Sequence, residues 1–133
     1  MIRPGGSACT SVRWDGATLD AHCRGVAGLV AGEIGLILDE VLIDADYRDK
    51  LFAALVGKDV LTVGVHCDIA ELERRENARG DRLIGQARGQ FDTVHAGQSY
   101  DIEVDTTATV TAIVIDKIIA ALMSGDLNAS AGM

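Results

Sequence analysis

Short apolar runs alternate along this chain with stretches whose apolar residues recur at helical spacing, and that alternation predicts an α/β fold. Thr18 to Glu33, rich in Ala and other small residues, reads as a helix closing near Gly32. Gly25, Gly28 and Gly32 weaken such a helix intrinsically, which predicts that its backbone packs closely on a sheet. Ile34 to Asp39 (IGLILD) is an apolar run ending in acid, the pattern of a strand buried on both faces. Asp46 to Val56 is amphipathic, with Leu51, Ala54 and Leu55 inward and Gly57 as the helix stop.

Val60 to Cys67 (VLTVGVHC) reads as a second buried strand. Asp68 then caps a new helix, with Glu71 three residues on as its capping-box partner. That helix is expected to run toward Phe91 with a break at Gly80. After a loop around Ala96 to Ser99, Tyr100 to Asp105 (YDIEVD) alternates like a half-buried strand. Thr109 to Met123 carries Val110, Ile113, Val114, Ile118 and Leu122 at helical period and closes the pattern. Helices and strands in strict alternation imply a parallel sheet with right-handed crossovers, and ligands of such sheets bind at the carboxyl ends of the strands.

Composition narrows the function classes. A chain of 133 residues makes one domain, and 48% hydrophobic residues with only 4% aromatics give a core of Val, Ile, Leu and Ala. The formal net charge of -8 argues against general nucleic-acid binding. No apolar run is long enough to span a membrane, and the N-terminal residues lack the apolar centre of a secretory signal. Cys9, Cys23 and Cys67 have no metal-type spacing and no C-x-x-C, so reduced thiols in a cytoplasmic protein are the reading.

Against that acidity, Glu71 to Gln90 is the exception. Arg74, Arg75, Arg79, Arg82 and Arg88 crowd into it, out of 12 Lys and Arg in the chain. On a helix, Arg75, Arg79 and Arg82 project from one face, and guanidinium is the group best shaped to hold phosphate oxygens. A solvated helix with internal Glu–Arg pairs has the same composition, and both readings stand at this point. The strand ends offer further chemistry. Asp39 and Glu40 suit a hydrated Mg²⁺ or a cap, while His66 and Cys67, as neighbours on a strand, point to opposite faces. His95 reads as an ordinary surface histidine in a loop.

LILDEV (36 to 41), VGVHCD (63 to 68), RENARGDRLIGQA (75 to 87) and VHAGQSYDIEVDTT (94 to 107) together resemble the chloramphenicol phosphotransferase-like kinases, from about Val26 to Leu122. The resemblance implies a three-layer, parallel-sheet P-loop NTPase-like fold and transfer of the ATP γ-phosphate to a hydroxyl of a small molecule, as in antibiotic resistance. It implies that Asp39, with Glu40 beside it, helps hold Mg²⁺. It implies that Arg75, Arg79 and Arg82 are lid arginines, that 71 to 90 is the lid, and that Asp105, Thr106 and Thr107 lie near the adenine.

One part of that pattern is missing. A P-loop needs G-x-x-x-x-G-K-[ST], and no lysine here has that context: Lys58 follows Gly57, but Asp59 and Phe52 stand at the other positions. Gly5 to Ser11 (GGSACTS) echoes a Gly-Gly-Ser loop with Cys and Thr where Gly and Lys belong. Residues 1 to 16 are therefore expected to be a non-matching segment and 17 to 133 the C-terminal part of the kinase domain, truncated so that the central strand is absent. The strands flanking that gap need a neighbour, which the N-terminal segment, a rearranged sheet or a second copy of the chain would provide. The expectation is an ATP-dependent O-phosphotransferase, incomplete and inactive alone. The alternative is a non-catalytic remnant, or a nucleotide- or anion-binding module of the same fold.

Overall fold

A computed structural model describes residues 15–32, 34–81 and 83–125. The order of elements is α1 (Gly16–Ala31), α2 (Ala45–Ala54), β1 (Val63–His66), α3 (Ile69–Arg79), α4 (Gln86–Phe91), β2 (Ile102–Asp105) and α5 (Thr111–Ser124). The echo loop Gly5 to Ser11 and Arg82 lie outside the described residues.

Local chemistry starts the first two helices. Asp15 accepts the Thr18 N–H at 2.8 Å and Asp44 accepts that of Tyr47 at 3.0 Å, each satisfying a donor that the first turn leaves free. Cys23 and Val26 of α1 then pack on Tyr47, Leu51 and Leu55 from α2 and the turn after it. Leu38 and Leu42, from the extended segment between the helices, close over this cluster. Lys50 reaches both Asp20 and Asp46 at 3.0 Å, adding a polar tie across the α1–α2 pair. Gly57 adopts φ +77°, the left-handed turn expected after α2.

β1 and β2 form a parallel pair with Val63 opposite Ile102 and His66 opposite Asp105. Asp101 clamps the start of this ladder: its carboxylate accepts the Thr62 N–H at 2.7 Å and the Thr62 hydroxyl at 2.6 Å. α5 packs on β2, where Val104 and Val114 are buried, and α3 packs on α4. Among the described residues, no helix is long and apolar enough to cross a membrane.

Several expectations change. Ile34 to Asp39 forms no strand, and Ile37 is 95% exposed. A strand is a relation between two segments, and the described sheet stops at β1 and β2. The three layers of the expected P-loop-like fold therefore reduce to an α/β arrangement on a two-stranded parallel sheet. Gly25 and Gly28 face open space and α1 packs on α2, so close approach to a sheet does not explain them. The capping box at Asp68 does not form: Glu71 turns instead to Arg74 and Arg75.

Candidate active site at the strand ends

The carboxyl ends of β1 and β2 open into a cavity of about 550 Å³, roofed by α3 and α4 and walled by the loop before β2. His66, Cys67, Asp68 and Asp105 lie at its floor, with Arg75, Glu76 and Arg79 from α3 and His95 from the loop.

The floor is a closed set of hydrogen bonds. Thr106 donates both its N–H (2.8 Å) and its hydroxyl (3.0 Å) to the His66 carbonyl. Asp105 accepts the Thr107 N–H at 2.8 Å, which holds its carboxyl below the usual carboxylate range. The Thr107 hydroxyl accepts the Asp68 N–H at 2.8 Å, joining the two strand ends just before α3. Asp105, Thr106 and Thr107 thus hold one another and α3, and their polar groups are largely engaged in doing so.

Arg75 is part of that lattice. Its Nη2 donates to the Thr106 carbonyl at 2.6 Å and its Nε to Glu71 at 2.7 Å. Glu71 also takes a two-pronged contact from Arg74, at 2.6 and 2.8 Å, and these guanidiniums hold its carboxyl down to about 2. Arg79 is freer: it pairs at 3.3 Å with Asp81, and both side chains are more than half exposed. Arg75 and Arg79 line the same cavity, as their spacing requires. α3 ends at Arg79 because Gly80 turns left-handed there with φ 68°.

Beyond the break, the chain is held back against α3. Gly85, with φ +97°, donates its N–H to Glu76 at 2.8 Å, and Ala87 donates to the same carboxylate at 2.9 Å. Arg88 on α4 adds a contact to Glu73 at 2.9 Å. The segment expected as a lid is therefore two helices joined by a glycine-bounded loop and tied by carboxylates.

Asp39 and Glu40 are not among the residues lining this cavity. Glu40 accepts from His22 at 3.0 Å and lies by Tyr47, whose hydroxyl it helps push, together with burial, well above its ordinary value. Glu40 borders instead a smaller cavity of about 170 Å³ between residues 38–42 and the start of β1. Asp39 is exposed. Among the described residues no three His, Cys, Asp or Glu side chains converge as metal ligands.

The cavity also holds groups the sequence reading passed over. His95 is not a surface residue: it is half-buried, and its Nδ1 contacts the Tyr100 hydroxyl at 2.6 Å. Its ring stacks on that of His66 with centroids 4.1 Å apart. Tyr100 lies so flat on β1 that a Cβ at Gly64 would come within 2.5 Å of its ring. The signal was present in V-H-x-G-x-x-Y-D, because Gly97 turns with φ +68° between the histidine and the tyrosine.

These elements can be set beside known proteins. Two curated Mycobacterium tuberculosis proteins, from strains CDC 1551 / Oshkosh and ATCC 25618 / H37Rv, are described as candidate O-phosphotransferases. Each is 36% identical to this chain over 91 residues, which is 68% of this chain and 40% of the relative. The chain thus spans well under half the length of the curated relatives it matches. The model of the family described as chloramphenicol phosphotransferase-like protein matches residues 12–123. The chain belongs to the chloramphenicol phosphotransferase-like family.

Proposed function

We propose that this chain serves ATP-dependent transfer of a phosphoryl group to the hydroxyl of a small molecule, supplying the lid and the strand-end floor of the site. The observation that carries this reading is Arg79 lining the strand-end cavity, its guanidinium held, among the described residues, by an exposed aspartate 3.3 Å away. Phosphoryl transfer depends mainly on positioning and on neutralising charge spread over the phosphate oxygens. A guanidinium that exchanges an exposed carboxylate for a phosphate meets that need at little cost. Arg75, fixed to Thr106, sets where the roof of the site stands.

Mg²⁺ would add charge neutralisation on the phosphates. It binds through one or two carboxylates and keeps several waters. Asp39, though exposed, lies outside the cavity that Arg79 lines, and Glu40 is engaged by His22 and Tyr47, so neither fits that role as the structure places it. Asp105, Thr106 and Thr107 would border the adenine through the shape of their turn.

No Walker A sequence occurs in the 133 residues, so we expect the chain by itself to bind nucleotide weakly and to turn over none. A further strand, from a fuller kinase domain or a second copy, would pair along the edge of β1 that β2 leaves free in the described sheet. Calorimetry of ATP with the wild type and with Arg79→Ala tests the site. Affinity that falls in the variant supports it; affinity unchanged by Arg79→Ala sinks it.

A second reading, a non-catalytic module of the same fold, is favoured by one observation: Arg74 and Arg75 are both committed to Glu71. Absence of ATP binding by the wild type would decide for it.

A further inference from the structure

His66 and His95 come from different parts of the chain and meet as a stack in the cavity wall, 4.1 Å between centroids and 31° between planes. Their surroundings differ. The Nε2 of His66 is buried and lies 3.0 Å from Glu103 Oε2, but off the angle a hydrogen bond needs, so it has no directed partner. His95 has partners suited to a neutral ring. Its Nδ1 lies 2.6 Å from the Tyr100 hydroxyl, which can donate to a neutral ring, and the Val65 carbonyl accepts from the ring N–H.

A proton on His95 would displace the Tyr100 proton from Nδ1. Tyr100 is wedged on Gly64 and can answer only by rotating its hydroxyl. A proton on His66 would instead place an N–H beside the Glu103 carboxylate. Two cations at this spacing repel, which separates their titrations.

We propose that the His66–His95 stack is a one-proton switch in the cavity wall, charging on His66 beside Glu103 while His95 stays neutral. The groups facing the pair are mixed in sign, and the carboxylate of Glu103, 3.0 Å from His66, stands against the arginines across the cavity. β2 contributes Glu103 and Asp105, the loop contributes only Tyr100, and across the cavity α3 sets Arg75 and Arg79 against Glu76. Burial pushes His95 below the ordinary histidine range and His66 pushes the same way, against the opposing pull of Val65 and Glu103. Charging His66 adds a positive group at the floor of the cavity, so an anion bound there is held more tightly while His66 carries the proton. That last consequence rests on the function proposed above; the switch itself does not.

The chain has three histidines, so His22 provides a reference signal in an NMR titration of the full chain between about pH 5 and 9. The expected result is a His66 midpoint above that of His95. In His66→Gln, the His95 midpoint should rise toward the ordinary value of about 6.5. In Glu103→Gln, a change at a largely exposed side chain, the His66 midpoint should fall. A His95 midpoint at or above that of His66 overturns the proposal, as does a His66 midpoint unmoved by Glu103→Gln, which keeps the test open if His66→Gln does not fold. Failure of ATP to bind would sink the proposed function and leave the histidine result as it stands.

Discussion

Glu76 on α3 accepts the backbone N–H of Gly85 at 2.8 Å, holding the far side of the glycine-bounded loop against the helix that precedes it. The same carboxylate takes the Ala87 N–H, so one buried acid satisfies two donors at the start of α4, where no intrahelical partner exists. Glu76→Ala would leave both N–H groups without that acceptor. A cost of about 1–3 kcal/mol is expected, with fast amide exchange at Gly85 and Ala87 and little change in β1. Glu76→Gln keeps a carbonyl acceptor and should protect one of the two amides. Uniform exchange across the whole chain in Glu76→Ala would show that the contact has no local role.

The close approach of Tyr100 to Gly64 makes a sharper test. A methyl group at Gly64 would meet the ring at 2.5 Å, well inside contact distance. Gly64→Ala should therefore displace Tyr100 and cost about 1–3 kcal/mol in urea unfolding, despite the better strand propensity of alanine. The double variant with Tyr100→Ala removes the clash, so the two changes should be strongly non-additive. Additive costs would mean that the ring already has room to move.

Helix ends set by nearby residues were legible in the sequence only in part. Gly80 stops α3 where an arginine-rich helix was expected to break, whereas Asp15 and Asp44, which cap α1 and α2 through donors three residues away, were not singled out in the sequence and the box expected at Asp68 did not form. Ile34 to Asp39 was misread because an apolar run shows only that a strand would be compatible, and the ladder partner lies outside the run. The candidate site divides the same way. Arg75 and Arg79 share a cavity because helical spacing places them together, a local relation. The meeting of His66, His95 and Tyr100 depends on β1 pairing with β2 and on the turn at Gly97 between, so no single window of sequence contains it.

Acid should act on Glu71 late. Arg74 and Arg75 hold its carboxyl at about 2, below its ordinary 4.5. A depressed value means the folded state binds the proton less readily than the unfolded chain does. The stabilisation is thus present above 4.5 and is lost as pH falls through about 2. Glu71 is expected to titrate well below the ordinary glutamate value in a ¹³C experiment. Glu71→Gln should flatten the acid limb of stability against pH, and a Glu71 midpoint near the ordinary value would show that the arginine contacts are not held in solution.

The two cavity-lining arginines should separate stability from binding. Arg75 joins α3 to the Thr106 carbonyl and to Glu71, and its side chain is 40% exposed. Charge-assisted hydrogen bonds carry about 1.5–3 kcal/mol when buried, and solvent screening at this exposure reduces that to about 1 kcal/mol for Arg75→Ala. Among the described residues Arg79 pairs with Asp81, and its side chain is 55% exposed, so Arg79→Ala should move stability by no more than about 0.5 kcal/mol. ATP affinity should show the reverse order per unit of stability, because Arg79 can leave Asp81 for a phosphate without disturbing the floor. Urea unfolding and calorimetry on the same two variants give the comparison. If Arg79→Ala binds ATP as the wild type does while Arg75→Ala does not, the phosphate contact belongs to Arg75, and the Thr106 bond must open for ligand to enter.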